Sequence, residues 1–138
     1  MKLLPILLAG LLAGCGESGV TVNLPEKTGL PSDDERTLRS AWPRALGACP
    51  GLSRYGDRLY VERVEAYDFE AGKLINVVVR AGEDANVERF GLGKGERCYF
   101  GFTDNAKRLK LSKSGCIRIC ADEEGRGWLG DITVDLEK

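Results

Sequence analysis

The chain has 138 residues, 20 Lys and Arg against 21 Asp and Glu, and no histidine. A net charge of −1 leaves no basic excess to compete for nucleic acid. Without imidazole, histidine-based zinc sites, Ser-His-Asp relays, Cys-His pairs and the usual neutral-pH switch are excluded.

Lys2 precedes an uninterrupted apolar run over residues 3–14, which ends at Cys15. The run is shorter than the ~20 apolar residues that a membrane-spanning helix needs. A positive residue, a short apolar stretch and small residues before the cysteine have the form of an export signal. Leu12-Ala13-Gly14-Cys15 resembles the lipobox of bacterial lipoproteins. The resemblance implies loss of residues 1–14 and acylation of Cys15, with palmitate among the chains, so that the mature protein is held at a membrane. Each buried methylene contributes ~0.8 kcal/mol, and stable anchoring takes more than one acyl chain. In Gram-negative members of that family an aspartate after the cysteine retains the protein at the inner membrane. Gly16 stands here instead, which implies an outer-membrane protein facing the periplasm in such a host.

Residues 15–31 read as the lipidated cysteine, a tether and a possible edge strand. Gly, Pro, Ser and charges dominate, which suits a linker. Val20, Val22 and Leu24 alternate in the middle, a period-two signal that Pro25 stops. Residues 32–138 read as one disulfide-bonded domain, too short for two good cores. Ser32-Asp33-Asp34-Glu35 has the form of a capping box, and its acids suit a helix N-terminus. Leu38, Ala41 and Trp42 then share a helical face. Pro43 predicts the end of that short helix at Trp42. Trp42 is expected to anchor the helix onto a sheet, with a partner-facing role as the alternative. Residues 45–57 read as a turn-rich loop pinned at Cys49.

Residues 59–69 predict a strand whose alternation slips. Leu59 and Val61 fall on one face, Val64 and Ala66 on the other, and a bulge near Glu62-Arg63 reconciles them. Gly72 supplies the turn, and residues 74–79 return with Ile75, Val77 and Val79 on one face. Residues 87–92 predict a weaker strand. Gly91, Gly93 and Gly95 form a Gly-x-Gly-x-Gly string, but a phosphate loop requires a helix behind it. Residues 98–102 read as strand instead, with Cys98, Phe100 and Phe102 inward. Asp104-Asn105 turns the chain, and Leu109 and Leu111 alternate with Arg108 and Lys110. Residues 116–121 predict a strand, and residues 128–136 another, in which Trp128, Ile132, Val134 and Leu136 alternate with Asp131, Thr133 and Asp135.

This pattern is mainly β: a small antiparallel sandwich or partly closed barrel with one short N-terminal helix. Cys49, Cys98, Cys116 and Cys120 are an even set in an exported chain, which reads as two disulfides. On a strand, Cys116 and Cys120 lie ~13 Å apart, beyond disulfide reach. Each is expected to pair with Cys49 or Cys98, and both pairings remain open. A four-thiolate metal site lacks paired short spacings, and Cys-x-x-x-Cys differs from the redox Cys-x-x-Cys. No cofactor and no metal are implied.

Lys107, Arg108, Lys110 and Lys113 form a basic cluster suited to anionic headgroups or an acidic protein. Glu62 with Glu65, or Asp131 with Asp135, are the acid pairs available for carboxylate chemistry. The second pair lies ~13 Å apart along a strand, wider than the ~9.5 Å limit usual for glycosidases. Ser112-Lys113-Ser114 holds nucleophile and base types in a turn, without an oxyanion site. The leading expectation is a non-enzymatic, membrane-tethered domain that binds a protein, such as an immunity protein or inhibitor of a secreted or envelope-acting effector. The general layout resembles small periplasmic immunity and inhibitor lipoproteins, through architecture rather than matched binding residues. The alternatives are an envelope assembly accessory and a carboxylate-dependent envelope hydrolase.

Overall fold

A computed structural model describes residues 22–55, 58–70, 72–82, 95–112, 116, 120 and 132–137. Helix α1 spans Ser32–Gly47, and a 3-10 turn follows over Pro50–Arg54. The strands are β1 (Leu59–Phe69), β2 (Gly72–Ala81), β3 (Arg97–Thr103), β4 (Arg108–Leu111) and β5 (Ile132–Asp135). They form one sheet in the order β1-β2-β3-β4-β5, with each neighbouring pair antiparallel. The mainly β expectation holds, but the sheet is neither a sandwich nor a closed barrel. Among the described residues its inner face is covered by α1 and by no second sheet.

Residues alternate across each strand, so one face of the sheet collects the apolar side chains. Ile75, Val77 and Val79 of β2 lie beside Phe102, Phe100 and Cys98 of β3. Leu109 and Leu111 continue that face, and all eight side chains are buried. From α1, Leu38, Ala41, Trp42 and Ala45 descend onto it. The Trp42 ring meets Phe100 edge-on at 5.3 Å between centroids, and its Nε1 donates to the carbonyl of Val22 at 2.8 Å. Trp42 is therefore the core anchor and is not available to a partner.

Several local expectations change. Pro31 precedes α1, and Ser32 makes no side-chain cap; the amide of Glu35 donates to the carbonyl of Pro31 at 2.9 Å. Helical bonding already begins at Pro31, which places Ser32 inside the helix. Glu35 instead accepts from Arg39. Pro43 lies within α1 rather than ending it. Its missing N–H leaves the carbonyl of Arg39 without a helical donor. Burial of Trp42 and Ala45, on either side of Pro43, offsets that cost. The described part of the expected N-terminal strand, Val22 to Leu24, makes no strand pairing. It packs on α1 instead: Val22 is buried, and Arg39 donates to the carbonyls of Pro25 and Glu26 at 2.6 and 2.8 Å.

The bulge in β1 falls between Val61 and Arg63, at the expected place. The disulfides join Cys49 to Cys120 and Cys98 to Cys116. The expected strand over residues 116–121 is overturned where it is described: the amide of Cys120 donates to the carbonyl of Cys116 at 3.0 Å, a helical i→i+4 bond. The two cysteines thus part company because each faces a different partner, not because a strand holds them apart. The expected strand over residues 87–92, Trp128, Asp131 and the lipobox lie outside the described residues. No helix among the described residues is long and apolar enough to cross a membrane.

Candidate functional site

The face of the sheet turned away from α1 is organised by the β1 bulge. The extra residue Glu62 shifts the alternation, so Val61 and Val64 both face inward and Arg63, Glu65, Tyr67 and Phe69 face outward. Register then sets side chains in rows across the open face. Tyr60, Arg80 and Arg97 make one row, and Arg63, Val78 and Tyr99 the next. Glu65, Asn76, Gly101, Lys110 and Thr133 make a third. Tyr67, Leu74, Thr103, Arg108 and Asp135 make a fourth.

Two kinds of group mark this face. The first is aromatic: Tyr60, Tyr67 and Phe69 are 48%, 43% and 58% exposed. The rings of Tyr67 and Phe69 lie 6.5 Å apart, within the range of a weak aromatic pair. The second is a charge network centred on Glu62, which is only 19% exposed. Glu62 accepts from Arg97 at 2.9 and 3.0 Å and from Arg80 at 3.2 Å, and it also pairs with Arg63. Arg63 donates to Glu65 at 2.6 Å, and the Tyr67 hydroxyl donates to the same carboxylate at 2.7 Å. The Arg97 hydrogen bond is the main cause holding the Glu62 carboxyl below its usual range; Arg80 adds to it and partial desolvation opposes it. Arg63, then Tyr67, do the same for Glu65, and that bond raises the Tyr67 phenol. The network thereby ties Arg63, Arg80 and Arg97 to acidic partners on this face. Val78, flanked in register by Arg63 and Tyr99, is fully covered although it faces outward.

At the turn end of this face lies a hollow of about 430 Å³, bordered by Phe69, Gly72, Lys73, Leu74, Thr103, Asp104 and Lys110. Gly72, at φ 139°, closes the β1–β2 turn there. On the other side, Asp104, Asn105 and Ala106 hold consecutive positive φ values of 56°, 59° and 63°. Such a left-handed turn costs roughly 1–2 kcal/mol at a residue without a compensating side-chain bond. The Lys107 amide closes it on the carbonyl of Thr103 at 3.1 Å.

The basic cluster read from the sequence does not stay together. Arg108 and Lys110 share the open face, and Arg108 lies 3.5 Å from Asp104. Lys107 sits in the turn, 3.5 Å from Glu137, and lines a separate cleft with Arg36, Ser40 and Arg44. Lys113 lies outside the described residues. Glu62 and Glu65 do meet, but through Arg63 as an ion-pair network. The aromatic row went unremarked in the sequence. The bulge was its signal: once Val61 and Val64 both face inward, Tyr67 and Phe69 must face outward.

Among the described residues no cluster of His, Cys, Asp or Glu could hold a metal ion. Comparisons with protein-family models, curated proteins and solved structures return no match.

Proposed function

We propose that this is an exported lipoprotein, anchored through Cys15, that binds another envelope or secreted protein through the open face of its sheet. The observation that carries the binding reading is the exposed aromatic pair Tyr67 and Phe69, with Tyr60 also exposed farther along the same strand beside Arg80. Scattered exposed apolar residues are ordinary, but grouped ones mark interaction surfaces. Aromatic residues and arginine are the types enriched at the energetic centres of interfaces. Because Arg63, Arg80 and Arg97 are already held by Glu62, less side-chain freedom is lost when a partner arrives. A general acid needs a carboxyl with a raised pKa. Glu35, Glu62 and Glu65 are shifted the opposite way, so none of the three is poised as a general acid. An effector inhibitor or immunity protein fits this reading, since a lipid tether raises its concentration at one surface.

Two measurements test it. Mass spectrometry of the protein from its host is expected to show a mature chain beginning at acylated Cys15. An unmodified chain beginning at Met1 would overturn the anchor. The purified chain, with both disulfides intact, is expected to take up one envelope or secreted protein at saturable one-to-one stoichiometry. The Tyr60→Ala, Tyr67→Ala double variant is expected to lose that partner while staying folded. Turnover of a wall or lipid substrate, abolished by one acidic substitution without unfolding, would overturn the binding reading.

A further inference from the structure

The hollow at the turn end of the open face carries more than general stickiness. Its wall is apolar where Phe69 and Leu74 stand, and a cation stands at each side, Lys73 and Lys110. The two lysines differ. Lys73 turns toward α1 and donates to Asp34 at 2.6 Å, so its charge is already answered. Lys110 has no ion pair among the described residues. Asp104, the acid on the rim, lies 3.5 Å from Arg108. Among the described residues the open face and its rim hold Arg63, Arg80, Arg97, Arg108 and Lys110 against Glu62, Glu65, Asp104 and Asp135. Among these described groups the surplus is positive, and the one cation without an ion pair, Lys110, stands at the hollow.

Gly101 stands beside the hollow, next to two of its lining residues, Leu74 and Lys110. It lies between Asn76 and Lys110 in register. A Cβ there would come within 3.2 Å of Leu74 Cδ1 and 3.3 Å of the Lys110 carbonyl. The missing side chain gives Leu74 Cδ1 room to lie against β3 at the edge of the hollow. At about 430 Å³ the space falls within the size range of ligand pockets.

We propose that this hollow receives an apolar side chain that a partner protein carries next to a carboxylate, the carboxylate meeting Lys110. The proposal rests on the reading that the open face binds protein, and it names the chemistry of the partner: an acidic segment with an aromatic or large aliphatic residue at its centre. Apolar burial supplies the affinity, and the charge selects the register. A purely acidic segment leaves the Phe69 and Leu74 wall wet. A purely apolar one leaves Lys110 partly desolvated and unpaired.

The test uses the full chain with intact disulfides and three fluorescent peptides of one scaffold, centred on Asp-Phe-Asp, Asn-Phe-Asn or Asp-Gly-Asp. Anisotropy is expected to show saturable binding of the first and at least several-fold weaker binding of the other two. Lys110→Glu should weaken the first peptide about tenfold or more, as expected for reversing a contact charge. Lys110→Arg should hold it within about threefold, since the charge is kept. Phe69→Ala should weaken it without abolishing charge selection. Near-ultraviolet circular dichroism would verify that each variant keeps its fold. The proposal is overturned if the folded chain does not bind the Asp-Phe-Asp peptide, if Asp-Gly-Asp binds equally well, or if Lys110→Glu changes nothing. A natural partner that binds the wild type and Lys110→Glu equally, but is lost in the Tyr60→Ala, Tyr67→Ala variant, would overturn the hollow alone. Failure of any protein to bind the open face would overturn the wider reading.

Discussion

The two faces of this sheet share the same strands and the same backbone bonds, yet they answer to different constraints. The inner face holds Phe100, Phe102, Leu109 and Leu111, all fully buried beneath α1. The outer face holds rings that are about half exposed and arginines tied to Glu62. On the inner face, packing alone decides which residues fit, because every methylene lost leaves a cavity. On the outer face, charge pairs hold the side chains in place while leaving apolar edges in water. An order that does not come from burial is what a recognition surface requires.

The largest expected effect lies on the inner face. Trp42→Ala removes the ring that meets Phe100 and Phe102 and the donor to Val22. A loss of about 3–5 kcal/mol is expected from such a truncation. Urea denaturation would measure it, and a loss below about 1 kcal/mol would mean that α1 is not the cover of this core.

The disulfides come next. Cys49–Cys120 closes a separation of 71 residues and Cys98–Cys116 one of 18. Loop-closure entropy therefore makes the first more stabilising by about 1 kcal/mol. Replacing each pair by Ser separately and comparing urea midpoints checks the order. Mapping of unreduced peptides checks the pairing itself.

Acid should reach the outer face before it reaches the core. The folded pKa values of Glu62 and Glu65 are depressed, mainly by hydrogen bonds from Arg97 and Arg63 respectively. The stability they contribute is complete above the unfolded carboxylate value of ~4.3. It is lost as pH falls through their lower folded values, because the folded state then has to bind protons it resists. Urea midpoints followed from neutral pH down to about 2.5 should show that loss, and Glu62→Gln should flatten it. A profile of unchanged slope in Glu62→Gln would remove Glu62 as the centre of the network.

The smallest effect on stability is expected from Tyr67→Ala, a change of about 0.5 kcal/mol or less for an exposed side chain. Thermal unfolding would measure it. The contrast with Trp42→Ala is the point: a neutral change in stability joined to a loss of binding would separate the two faces by function. A loss approaching that of Trp42→Ala would mean that the outer face, too, is packed for stability.

The sequence by itself determined which residues face the core in β2, β3, β4 and the described part of β5. Side chains there alternate with period two, and a single slip would turn an apolar row outward. It also placed the β1 bulge, since Val61 and Val64 cannot both face inward without an extra residue. Tertiary structure alone decided the rest. A helix covers the sheet in place of a second sheet because Leu38, Ala41, Trp42 and Ala45 bury against the inner face, and that burial carries α1 through Pro43. Local rules for proline cannot see a contact made across the fold. Cys116 and Cys120 are likewise joined by a helical i→i+4 bond and tied to Cys98 and Cys49, contacts that no local periodicity reports. The open face took shape only when β1 to β5 were placed side by side, bringing Phe69, Leu74 and Lys110 from three strands to the border of one hollow. Periodicity reports which way each side chain points; only strand order and register report what stands beside it.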